Sequence, residues 1–129
     1  MASMSQPLRL LIIDDDVRVT DFLQAFLADQ PNLVVKALNK SRETIPTVRE
    51  FCPNIILLDL VMPELSGRQV VELLDEDLEL SKIPILLMSG SVSTSPIDGI
   101  PFIPKPFALA TLPSMIVEQA SHTPRQHAG

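Results

Sequence analysis

Two spacings of apolar residues alternate along this chain. Five short apolar runs, LRLLII (8–13), LVVKAL (33–38), NIILLD (54–59), IPILLMS (83–89) and IPFI (100–103), have the length and β-branched content of strands buried on both faces. Between them the spacing is helical. Val19, Phe22, Leu23, Phe26 and Leu27 fall on one face of a helix, as do Val70, Leu73, Leu74 and Leu78, and again Leu112, Met115, Ile116 and Ala120. The segment 41–51 is weaker, because Pro46 interrupts it and only Ile45, Val48 and Cys52 align, so a short helix beginning near that proline is expected.

Strand and helix in alternation predict an α/β domain with a parallel sheet covered by helices on both faces. Right-handed crossovers and short loops leave the doubly wound five-stranded order 2-1-3-4-5 as the natural arrangement, with ligands at the carboxyl ends of the strands. The residues at those ends are polar: Asp14, Asp15 and Asp16 after the first run, Asp59 at the end of the third, Ser89 at the end of the fourth and Lys105 after the fifth.

At 129 residues there is room for one core. The expected organisation is a flexible N-terminus (1–7), one domain (8–120) and a disordered polar tail (121–129) in which His122 and His127 are solvated. Mean hydropathy is +0.26, yet no apolar run approaches the ~20 residues of a membrane span. MASMSQP is not a secretory leader, which implies a cytoplasmic setting without membrane contact. A net charge of −6 with scattered Lys and Arg argues against nucleic-acid binding by this domain. The single cysteine, Cys52, has no internal disulfide partner.

Carboxylates converging in one cleft repel one another unless a cation lies among them, and an oxygen-only ligand set suits Mg²⁺. A divalent ion, an ammonium and a hydroxyl around one carboxylate can neutralise a phosphoryl group, with Asp59 as the nucleophile. Taken singly, each residue has an ordinary explanation. Asp16 suits an N-cap before VRVTDFL, Asp59 a turn before Pro63, Ser89 a strand end and Lys105 a solvated charge. Their joint placement at the ends of strands one, three, four and five is what points to chemistry.

LLIIDDD, IILLDLVMPELSG, ILLMSG and FIPKPF, in that order, resemble the sequence blocks of response regulator receiver domains, the phospho-acceptor modules of two-component signalling. The resemblance runs from about Leu8 to Ala120 and implies a flavodoxin-like fold. It makes Asp59 the phosphorylated aspartate, Asp15 a direct Mg²⁺ ligand, Asp14 a ligand through water, and the Val61 backbone carbonyl a further ligand. It also makes Ser89 and Lys105 the groups that meet the phosphoryl oxygens, Ser89 and Phe102 the switch pair, and the Lys105–Pro106 bond cis. Pro63 and Gly67 shape the loop after Asp59, and Gly90 leaves access to the site. The implied partner is a sensor histidine kinase or phosphotransfer domain, and MSG with PFIPKPF is closest in style to receivers of hybrid histidine kinases.

One departure concerns GSVSTSPIDG (90–99), whose ten residues, rich in Ser with Pro and two Gly, are short for a crossover with a helix. The fourth helix, between strands four and five, is therefore expected to be shortened or missing, leaving a homodimer or partner surface near 90–99. Two rival readings stand beside this one. In a haloacid-dehalogenase-like phosphatase Asp14 would be the nucleophile and Asp16 the acid, but Arg18 is out of pattern, no acidic pair follows Lys105, and Asp59 has no role. The other is a pseudo-receiver that binds partners without being phosphorylated.

Overall fold

The computed structural model describes residues 6–90, 97, 99–104 and 109–121, with Ser89 described by its backbone alone. Strands β1 (Leu8–Ile13), β2 (Leu33–Leu38), β3 (Ile55–Asp59), β4 (Ile85–Ser89) and β5 (Phe102–Pro104) form one parallel sheet in the order β2-β1-β3-β4-β5. The helices are α1 (Val17–Leu27), α2 (Thr44–Phe51), α3 (Gly67–Asp75) and α4 (Leu112–Ala120), with short 3₁₀ turns at Ser41–Glu43 and Leu80–Lys82. Both the sheet order and the α/β class agree with the sequence reading.

Side chains along each central strand alternate between two cores, as the pleat requires. Leu10, Ile12, Ile55 and Leu57 face α1 and α4, meeting Leu23, Leu27, Leu112 and Ile116. Leu11, Ile13, Ile56 and Leu58 face α2 and α3, meeting Val48, Phe51, Val70 and Leu74. All of β3 is buried, so the only group on that strand able to reach a cleft is the one at its end, Asp59.

Several expectations change at the margins. β2 is an edge strand and is not buried on both faces: Leu33 and Val35 pack toward α1, whereas Val34 and Lys36 are exposed. Phe22 is exposed and stacks on Phe26 with ring centroids 6.4 Å apart, because the stripe α1 buries is Thr20, Leu23 and Leu27. Leu78 is exposed as well, since α3 ends at Asp75. Beyond α3, the Asp77 carboxylate accepts from the backbone N–H groups of Glu79 (2.9 Å) and Leu80 (3.1 Å) and starts the next turn. Pro46 is the third residue of α2, where its missing N–H forfeits no intrahelical bond. Cys52 closes that helix in the left-handed region (φ 55°) and is exposed.

Among the described residues no helix lies between β4 and β5. The segment expected to have lost its helix, with most of the expected dimer surface, lies outside the described residues, as do Lys105, Pro106 and most of the polar tail. No described helix is long and apolar enough to cross a membrane.

Candidate functional site

Asp14 continues β1 by one residue, its N–H donating to the Leu38 carbonyl at the end of β2 (3.1 Å). The Asp14 side chain then turns the chain, accepting from the Asp16 N–H (2.9 Å). Asp16 caps α1 as expected, its carboxylate accepting from the Arg18 N–H (2.9 Å) and pairing with the Arg18 guanidinium (3.1 Å). That guanidinium holds the Asp16 carboxyl below its ordinary value of 3.8, with the backbone N–H of Arg18 adding to the effect. Asp16 is thus a structural cap, and Asp14 and Asp15 are left to face the cleft.

Asp59 ends β3 opposite Met88 of β4. Ile13 and Leu58 are register partners in neighbouring strands, so Asp14 and Asp59, one residue further along each, emerge side by side. One carboxylate oxygen from each of Asp14, Asp15 and Asp59 lies within 4.8 Å of the other two; Asp14 (1 % exposed) and Asp59 (6 %) are buried, and Asp15 is exposed. Two carboxylates at such a separation repel by about 3 kcal/mol at an effective dielectric of ~20. Three hard oxygen donors that converge at that cost, with one side open to water, fit a Mg²⁺-like cation better than a softer metal.

The loop after Asp59 is held from two sides. Gly67 donates to the Leu60 carbonyl (2.8 Å), and α3 begins there under a reciprocal Ser66–Gln69 capping box. A Cβ on Gly67 would lie 2.6 Å from the Asp59 carbonyl oxygen and 2.8 Å from the Leu60 Cα, so only glycine fits this approach. From the other side, buried Ser41 accepts from the Leu65 N–H (2.8 Å), and Arg42 pairs with Glu64 (2.9 Å), holding the Glu64 carboxyl below its ordinary value.

The sequence reading singled out neither Ser41 nor Asn39, whose amide donates to the Asp14 carbonyl (2.8 Å) and the Thr20 hydroxyl (3.0 Å). Their available signal was position, directly after β2 at the polar edge. Ser89 ends β4 opposite Pro104. Phe102 is half-buried, packed against the α2–α3 core. Val61 lies in the loop and is 78 % exposed. Among the described residues nothing lies within 4 Å of where a Cβ on Gly90 would stand.

The chain matches the response regulator receiver domain family over residues 10–117. Response regulator Rre1 of Synechocystis sp. is 28% identical over 87 residues, 67% of this chain and 38% of that protein. Protein PilH of Pseudomonas aeruginosa is 35% identical over 81 residues, 63% of this chain and 66% of that protein. The matched region therefore spans less than two thirds of each relative. Among solved structures, chemotaxis protein CheY4 of Vibrio cholerae superposes with a TM-score of 0.77 at 20% identity, covering 89% of this chain and 99% of its own. That likeness confirms the fold. The family match covers most of the chain and favours the receiver reading over the phosphatase alternative: this chain belongs to the response regulator receiver domain family of two-component signal transduction.

Proposed function

We propose that this receiver accepts a phosphoryl group on Asp59 from the phosphohistidine of a sensor histidine kinase or phosphotransfer domain, in a cytoplasmic, Mg²⁺-dependent reaction. One observation carries the assignment: the Asp14, Asp15 and Asp59 carboxylates converge at the carboxyl edge of β1 and β3. An Asp59 oxygen attacks phosphorus as the bond to the donor breaks, and the leaving group departs with the electron pair. Asp15 would hold Mg²⁺ directly and Asp14 through water, with Asp59 and the Val61 carbonyl completing the protein ligands. When bound, the ion supplies positive charge against the carboxylates and the phosphoryl oxygens.

Ser89 hydrogen-bonds the new phosphoryl group and Lys105 pairs with it. The added charge biases Ser89 and Phe102 between two arrangements, which alters a partner-binding surface. Support for the switch is positional: Ser89 ends β4 beside the strand that carries Asp59, and Phe102 is half-buried one strand further out.

Intact mass after incubation with MgCl₂ and acetyl phosphate tests the assignment. The native chain gains one phosphoryl group and Asp59→Asn gains none. Labelling of Asp59→Asn would move the acceptor elsewhere, and an unlabelled native chain beside a labelled control receiver would favour the pseudo-receiver.

A further inference from the structure

We infer that Asn39 is a positioning residue for the acidic site, clamping the turn between β1 and α1 so that Asp14 and Asp15 are presented to one cation together with Asp59. The inference rests on the reading that these carboxylates hold Mg²⁺.

The Asn39 amide uses its two N–H groups on the two sides of one turn. It donates to the Asp14 carbonyl (2.8 Å), where the turn begins, and to the Thr20 hydroxyl (3.0 Å), in the first turns of α1. Thr20 is 1 % exposed, and its hydroxyl donates in turn to the Val17 carbonyl (3.1 Å), so the chain of donors ends inside the helix. Because the Asp14 N–H already donates to the Leu38 carbonyl (3.1 Å), both backbone groups of Asp14 are held by consecutive residues at the end of β2.

The Asp14 carbonyl belongs to the peptide plane that leads into Asp15. Fixing that oxygen fixes the rotation about the Asp14 Cα–C bond, and with it the direction in which Asp15 leaves the strand. Asp15 is exposed and has little packing of its own to set its direction. Mg²⁺ demands near-octahedral geometry at ~2.0–2.1 Å, so a ligand whose backbone can swing loses affinity even though its carboxylate is intact. β2 is an edge strand and carries none of the three carboxylates. In this arrangement its end supplies the brace instead.

Titration calorimetry with MgCl₂ on the whole chain tests this, with the apo melting temperature measured beside it. The chain has no Trp or Tyr, so heat is a better readout than intrinsic fluorescence. The native chain binds Mg²⁺, and Asn39→Ala binds about 10-fold more weakly. Thr20→Val removes one anchor, keeps the Asn39–Asp14 bond, and gives a smaller loss; it carries the test should Asn39→Ala fail to fold. A merely structural role predicts a lower melting temperature in these variants with unchanged Mg²⁺ affinity, and that result overturns the inference while leaving the metal reading in place. A native chain that binds no Mg²⁺ overturns both.

Discussion

The two ends of this sheet solve opposite electrostatic problems. At the carboxyl edge, like charges are gathered and neutral side chains hold them: Asn39 secures the turn that bears Asp14, and Ser41 secures the loop after Asp59. At the amino edge, opposite charges meet and are satisfied within the chain. Arg9 stacks over Phe51 (4.3 Å to the ring centroid) and donates to its carbonyl (2.7 Å), and Arg49 pairs with Asp77 (3.0 Å) across a cleft of about 460 Å³. One edge is complete within the protein. The other draws three carboxylates to one point at the cost of their mutual repulsion, which is the physical difference between a structural end and a receptive one.

This contrast can be broken most forcefully at Gly67. Adding a methyl group forces the backbone of Asp59 and Leu60 to move, so Gly67→Ala should cost about 2–3 kcal/mol in denaturant unfolding and weaken Mg²⁺ binding with it. A neutral effect would mean the approach of α3 to β3 is not tight.

A subtler test makes the same chemical change at both ends. Without divalent ions, Asp59→Asn should raise stability by about 1–2 kcal/mol by relieving repulsion, an advantage that shrinks as Mg²⁺ is added to the native chain. Asp77→Asn should lower stability, because it removes the charge that faces Arg49. Thermal melts of the two variants in a chelator should therefore shift in opposite directions. Shifts of the same sign would remove the distinction between the edges.

The smallest effect is the pH dependence at the amino edge. The Asp77 carboxyl is held below its ordinary value of 3.8, first by the backbone N–H of Leu80 and then by the Arg49 guanidinium. A depressed folded-state value means the contribution is present above pH 3.8 and is lost as pH falls through and below it. Melting curves below about pH 5 should show a shallower acid slope for Asp77→Asn than for the native chain.

What the sequence made legible follows from how local each cause is. The strand runs, the Asp16 cap and the buried stripe of α4 are set by neighbours along the chain, and they appear where the pattern places them. Asp14, Asp15 and Asp59 were legible too, because a carboxylate that ends an otherwise apolar run is conspicuous in one dimension. Asn39 and Ser41 were not, because each acts on a segment far along the chain: Asn39 reaches back to Asp14, and Ser41 forward to Leu65. Phe22 and Leu78 misled for a related reason. Spacing gives the phase of an apolar stripe, whereas only the packed neighbours set its width and the point where the helix stops.

The side-by-side emergence of Asp14 and Asp59 also bears on when the domain becomes competent during folding. The two residues lie far apart in the chain, and they meet only when β1 and β3 pair across an intervening strand and two helices. Parallel pairing of this kind is non-local and comes at the expense of loop closure, so it is not available to a nascent or partly folded chain. The acidic pair thus comes into being with the central pairing of the sheet. A chain that has not closed its centre has no assembled site, and an assembled acidic pair is itself a report that the central pairing of the sheet has formed.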